Sequence, residues 1–235
     1  RFSVMYEELP KNGTVPGKIH FDKMNGRIAN LTNIASYPQQ YMVLDADGYF
    51  MGDGHFKAKW HIPVSPDHDC FILEAAIDSF NLKSLNDIFI PLAKAEVKSG
   101  VLTGFNFRTE ASSKQAKTNM LMLYNDLSLN VLKGDSAERK NKLLSSVANA
   151  MIRSNNPNKR NGKPREANIE IERDPYHSTF NYFWQILQPA IAESAGVSQG
   201  TQNFAKKVGP FFSKVKGLFS RKKADNKEPT SDEEE

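Results

Sequence analysis

The sequence predicts a mainly β protein with a helical C-terminal third: a curved, open antiparallel sheet followed by amphipathic helices. Three observations predict it. Through the first 132 residues, run after run alternates apolar and polar side chains with a period of two, the mark of strands with one dry and one wet face. Turn-forming dipeptides rich in glycine and proline separate these runs. Beyond residue 132 the apolar period becomes that of helices.

Taken in order, residues 1–6 are strand-like, and the chain begins with Arg1 and not Met, so it reads as a fragment whose N-terminal part, including any membrane anchor, is missing. Asn12-Gly13 and Pro16-Gly17 precede a strand over 18–32. Asp47-Gly48 and Asp53-Gly54 place turns between a strand around Val43 and the next, over 56–64. There Phe56, Ala58, Trp60, Ile62 and Val64 alternate with Lys57, Lys59 and His61, and Pro63 and Pro66 end the run. Phe71, Leu73, Ala75 and Ile77 alternate with Glu74, Asp78 and Ser79. Residues 84–92 predict a helical turn with Ser84 as N-cap. Val101, Phe105 and Phe107 mark a further strand, and 109–117 is polar and holds a turn. In the run over 114–132, Leu121, Leu123, Leu127, Leu129 and Val131 face Asn119, Asp126, Ser128 and Asn130. Mean strands are about 5–6 residues, so this one is either very long or bent.

The helical third begins at 136–152, with Leu143, Leu144, Val147 and Met151 as a stripe. A basic, turn-rich loop over 155–165 and a last short strand over 167–172, with Ile169 and Ile171 on one face, come next. One helix then carries Phe180, Phe183, Trp184, Leu187 and Ile191. Another carries Phe204, Val208, Phe211, Phe212, Val215, Leu218 and Phe219 within an arc of about 120°. Lys206, Lys207, Lys214 and Lys216 lie at its flanks or back, Gly209-Pro210 kinks it, and Arg221-Lys222-Lys223 follow. Residues 224–235 are acidic and polar and are expected to be disordered. The chain thus divides into a one-sided sheet (1–132), a helix, basic loop and short strand (133–173), two amphipathic helices (174–223) and a tail (224–235).

Composition narrows the function. The 235 residues carry a net charge of only +4, and the basic loop over 159–165 has no interleaved aromatic residues, so nucleic acid is not an expected partner. The single cysteine, Cys70, precludes an intramolecular disulfide and has no activating neighbour in sequence. Asp45, Asp47, Gly48 and Asp53 lack the closing ligands of a calcium loop, and His55, His61 and His68 with Asp67 and Asp69 lack zinc spacing. No nucleophile elbow, phosphate loop or dinucleotide fingerprint is present. The sequence therefore gives no candidate catalytic residue, metal site or cofactor, and the expectation is a protein that is not an enzyme.

Particular segments resemble the AsmA-like family of Gram-negative envelope proteins, in the form of the AsmA-related proteins of Bacteroidota. They are Gly17-Lys18-Ile19-His20-Phe21 with Gly26-Arg27-Ile28-Ala29-Asn30-Leu31-Thr32-Asn33, Gly54-His55-Phe56-Lys57-Ala58-Lys59-Trp60, Leu85-Asn86-Asp87-Ile88-Phe89-Ile90-Pro91-Leu92, Val97-Lys98-Ser99-Gly100 with Val101-Leu102-Thr103-Gly104-Phe105, and Tyr124-Asn125-Asp126-Leu127-Ser128-Leu129. The likeness covers 1–132, with an echo at Glu172-Arg173-Asp174-Pro175, and lies in fold-type repeats and not in catalytic signatures. It implies a β-groove with an apolar inner face, a periplasmic location tied to a membrane, and phospholipid or another acyl-chain lipid as partner, for lipid transport or outer-membrane biogenesis.

Two sets of residues are the candidate sites. The apolar strand faces, Phe56, Trp60, Ile62, Phe71, Leu73, Ile77, Phe105, Phe107, Leu121, Leu123, Leu127 and Leu129, are expected either to line a lipid groove or to form an ordinary core sealed by the helices. The aromatic helix, through Phe204, Lys207, Val208, Phe211, Phe212, Lys214, Val215, Leu218 and Phe219, is expected either to lie in a membrane interface or to pack on the sheet. The alternative function is a non-catalytic structural module that docks an envelope protein on the same apolar face.

Overall fold

The fold is seen in a computed structural model, which describes residues 1–9, 14–34, 36–37, 40–65, 67, 69–132, 145, 152–174 and 179–196. It is an antiparallel sheet of nine strands: β1 (Phe2–Glu8), β2 (Gly17–Ala29), β3 (Tyr41–Phe50), β4 (Gly54–Pro63), β5 (Phe71–Ile77), β6 (Phe80–Asn81), β7 (Ala95–Ala111), β8 (Gln115–Val131) and β9 (Glu166–Glu172). The spatial order is β1-β2-β3-β4-β5-β7-β8-β9, with the short β6 paired to one end of β7. The sheet does not close into a barrel, and among the described residues β1 and β9 are its edges. β9 belongs to the same sheet as the first eight strands, so the sheet reaches past residue 132.

Each hairpin has a local cause. The turn between β3 and β4 lies at Met51 and Gly52, both with positive φ (51° and 78°), the conformation that tight hairpins require. Asp47-Gly48, expected as a turn, is instead inside β3. Gly48 serves packing there: a Cβ at this position would meet the Phe56 ring at 3.0 Å and the Asp22 carbonyl at 2.8 Å. Residues 82–93 form three short helical pieces: a 3₁₀ turn (Leu82–Leu85), α1 (Asn86–Ile88) and a π turn (Phe89–Ala93). Their N-cap is Asn81, whose side-chain oxygen accepts from the Lys83 amide at 3.0 Å, and not Ser84.

β7 and β8 have 17 residues each, and the long strand expected over 114–132 is present as β8. It is interrupted by bulges. Asn125 and Ser128 of β8 stand opposite Val101 and Ser99 of β7, so β8 holds one extra residue there, and Asp126 takes a φ of 54°. Gly100, at φ 141°, lies on the facing strand. A one-residue bulge exchanges the two faces of a strand. Upstream, Ala116, Met120 and Tyr124 are buried; downstream, the opposite parity takes over and Leu129 is buried.

α2 (Thr179–Ser194) lies on the sheet at the β8–β9 end. Its buried line is Tyr182, Ile186 and Ala190, pressed on Phe107, Ala111, Ala116, Met120, Ala167 and Ile169. The alanines, each 0–1% exposed, let the helix come close. The stripe expected from the sequence is rotated relative to this line: Leu187 and Ile191 pack at its margin, and Phe183 reaches the Trp60 and Phe71 rings at 5.5 and 5.9 Å. The C-terminus of α2 is fastened by Arg165, whose Nε donates to the Ser194 carbonyl at 3.1 Å, and by the Arg153 amide donating to the Ala195 carbonyl at 2.9 Å. A second core packs Phe80, Leu82, Val97, Leu102, Tyr124 and Leu129 with Leu85 and Phe89 of the helical pieces.

The basic loop is anchored inward at one point. Asn156 is fully buried; its Nδ2 donates to the Met122 and Arg165 carbonyls at 2.6 and 3.0 Å, and its Oδ1 accepts from the Arg165 amide at 2.7 Å. The helix expected over 136–152 lies outside the described residues except Ser145, whose Oγ accepts from the Val131 amide at 2.8 Å, and Ile152, which packs on the second core. The aromatic helix at 204–219 and the tail also lie outside them.

Candidate functional site

Register decides which side chains share a face, because residues directly opposite in an antiparallel ladder point the same way. Three parallel rows cross the apolar face. One is small: Gly26, Ala46, Ala58 and Ala75 stand opposite one another in turn. On one side runs a row of large residues, Ile28, Leu44, Trp60 and Leu73. On the other side Phe56 stands opposite Ile77, and Ile77 opposite Phe105. Phe21 joins this second row, with its ring 5.1 Å from Phe56 and 5.3 Å from Phe50.

Small residues between two large rows make a trough. At about 4.8 Å between strands, its floor spans roughly 15 Å from β2 to β5. The two walls stand about 13 Å apart, four residues along each strand. Ala46, Ala58 and Ala75 are half-buried and Gly26 is exposed, so the floor is open to solvent. Past Ala75 the row continues into Phe107 and Met120, under α2, and the trough is closed there. Its other end opens at the β1 edge, where Phe2 is 51% and Ile28 52% exposed, and Val4, opposite Phe21, also stands out. The nearby loop adds exposed Leu31, Ile34 and Tyr37.

The residues expected to line a groove divide into four groups. Phe56, Trp60, Leu73 and Ile77 form walls, and Ile62 and Phe71 extend the Trp60 side toward the rim. Phe105 and Phe107 lie at the closed end, packed in the α2 core. Leu127 and Leu129 are on the same side of the sheet but belong to the second core. Leu121 and Leu123 are on the opposite face, across from Asn106 and Gly104. Apolar residues at both parities, Leu121 and Leu123 beside Met120 and Met122, hid the true inward residues of β8, which are Met120, Met122 and Tyr124. The floor itself carried no signal in sequence, since alanines acquire meaning only once the register aligns them. The membrane-interface residues of 204–219 lie outside the described residues.

The opposite face is polar and holds a second, shallow depression of about 490 Å³, lined by Lys57, Lys59, Glu74, Arg108, Asn119 and Leu121 among others. Several of its charges are paired: Lys59 with Asp45 at 3.3 Å, and Arg108 with Glu74 and with Glu110. Cys70 sits at the rim of β5, and burial, then Glu110 and Asp69, push its thiol pKa up, away from the thiolate that nucleophilic chemistry needs. No helix among the described residues is long and apolar enough to cross a membrane. No family model, no curated protein and no solved structure matches the chain.

Proposed function

We propose that the trough shields the acyl chain of a lipid, and that the protein serves lipid transfer or outer-membrane maintenance in the cell envelope, as the AsmA-like resemblance implies. The observation that carries this reading is the open floor of Gly26, Ala46, Ala58 and Ala75 between two apolar walls. A strip of this width takes an extended hydrocarbon chain, whereas a docked helix of about 10 Å diameter would fill it from wall to wall. Each methylene withdrawn from water stabilises by about 0.8 kcal/mol, so ten contribute roughly 8 kcal/mol before the cost of association. The floor is tested with Ala58→Phe, which fills the trough in the half that α2 leaves uncovered. Native mass spectrometry of protein purified from bacterial membranes should show bound lipid for the wild type and none for the variant. A bare protein mass for both overturns the reading.

The terminal aromatic helix belongs to the same proposal as a membrane contact. Truncation after Ala195 should keep the sheet folded and abolish binding to anionic vesicles, and unchanged binding removes this part. A second reading has its own observation. β1 is an edge strand with Phe2, Val4, Met5 and Tyr6 at least 36% exposed, a surface suited to an added strand from an envelope protein.

A further inference from the structure

The seam between the first turns of α2 and the sheet contains donors with no hydrogen-bond partner among the described residues. The Trp60 Nε1, the Arg173 Nε and the Tyr182 hydroxyl are all buried and make no hydrogen bond. Such groups are rare in folded proteins and call for a ligand or another explanation. Neighbouring side chains of α2 link their residues. Arg173 follows β9, and its guanidinium carbon lies 5.0 Å from the centre of the Tyr182 ring. The next residue of α2, Phe183, lies on Trp60 at 5.5 Å. Tyr182 is 1% exposed.

Among the described residues no carboxylate lies within ion-pair distance of Arg173. The carboxylates Asp69 and Glu110 of this rim are held by other donors, although the charge of Asp69 still acts on Tyr182. Asp69 accepts from the Ser113 amide at 3.0 Å, and Glu110 from Arg108 at 2.6 Å. Burial, opposed by the charge of Arg173, pushes the Tyr182 hydroxyl up to about 12, which keeps it a neutral donor. A guanidinium stacked on an aromatic ring, beside a buried hydroxyl donor, suits a tetrahedral or planar oxyanion.

We propose that Arg173 and Tyr182 form an anion site for a phosphate group at the rim of the trough, where Trp60 belongs both to the wall and to the seam. This rests on the acyl-chain reading above, which it sharpens: the ligand is an anionic amphiphile, held by its headgroup at Arg173 and by its chain on the alanine floor.

The test uses three probes on the full chain by calorimetry: dodecyl phosphate, dodecanol and inorganic phosphate. Dodecyl phosphate should bind roughly tenfold or more tightly than dodecanol, and Arg173→Gln should erase that advantage while leaving dodecanol binding unchanged. Tyr182→Phe should weaken dodecyl phosphate by about threefold while leaving thermal stability equal or higher, since it removes only an unpartnered hydroxyl. That pairing of results excludes a merely structural role. An advantage that survives Arg173→Gln, or equal binding of the two amphiphiles by the wild type, overturns the anion site and leaves the trough standing. If dodecanol does not bind the wild type, the acyl-chain reading fails. The anion site then stands as a site for free phosphate if inorganic phosphate binds in an Arg173-dependent way, and falls if it does not.

Discussion

Between β5 and β9 the apolar face lies under α2, with Tyr182, Ile186 and Ala190 at 0–1% exposure. Between β1 and β4 the same face, built from the same alternating pattern, meets solvent at Phe2, Val4 and Ile28. The two halves have one sheet, one ladder and one hydrophobic pattern. They differ in what was supplied to cover them: on one side an alanine-paved landing (Ala111, Ala116, Ala167) for a helix of this chain, on the other an alanine-paved floor that α2 leaves uncovered beyond Ala75. Small residues in a sheet therefore mark where something is meant to approach, and only the register tells which something.

That contrast can be broken at its anchor first. Asn156→Ala removes three hydrogen bonds from a fully buried site between β8 and the segment that fastens α2. It should cost about 4 kcal/mol, read as a shift in the denaturant midpoint without a change in slope. Ile186→Ala hollows the covered half and should cost about 3 kcal/mol in the same assay. The matching change in the open half, Ile28→Ala, should stay within about 0.5 kcal/mol; a cost like that of Ile186 would mean that the open half is covered in solution. The smallest perturbation is none: hydrogen exchange on the unmodified protein should find amides of β7 and β8 far slower than those of β1. Equal protection at both would erase the distinction between the halves.

The sequence made most of this sheet legible. Period two located β4, β5 and β9 closely because each is short, regular and one-sided. β8 was legible as a strand but not as a face, since Leu121 and Leu123 stand at the parity of Asn119, and one bulge at Asp126 re-phases the residues beyond it. The helical pieces at 82–93 were recognisable as a helical turn, but their cap, Asn81, lay in the last residue of a two-residue strand that the pattern does not reveal. The site was half legible. Wall residues such as Trp60 and Ile77 are large and periodic. Ala46, Ala58 and Ala75 are too small to stand out, and the pairing of Arg173 with Tyr182 brings together the end of β9 and α2 across a loop, a contact that no local pattern encodes.

The bulge at Asp126 has a consequence for how such a chain tolerates changes in length. β8 is in effect two half-strands spliced out of phase: Ala116 and Met120 lie in the core under α2, and Tyr124 and Leu129, on either side of the splice, share the second core. A residue deleted at the splice would remove the extra residue of β8 and turn Leu127 and Leu129 outward, while Met120 and Tyr124 kept their places. Damage from an insertion or deletion therefore stops at the splice, and the half of the sheet that carries the trough is insulated from accidents in the other.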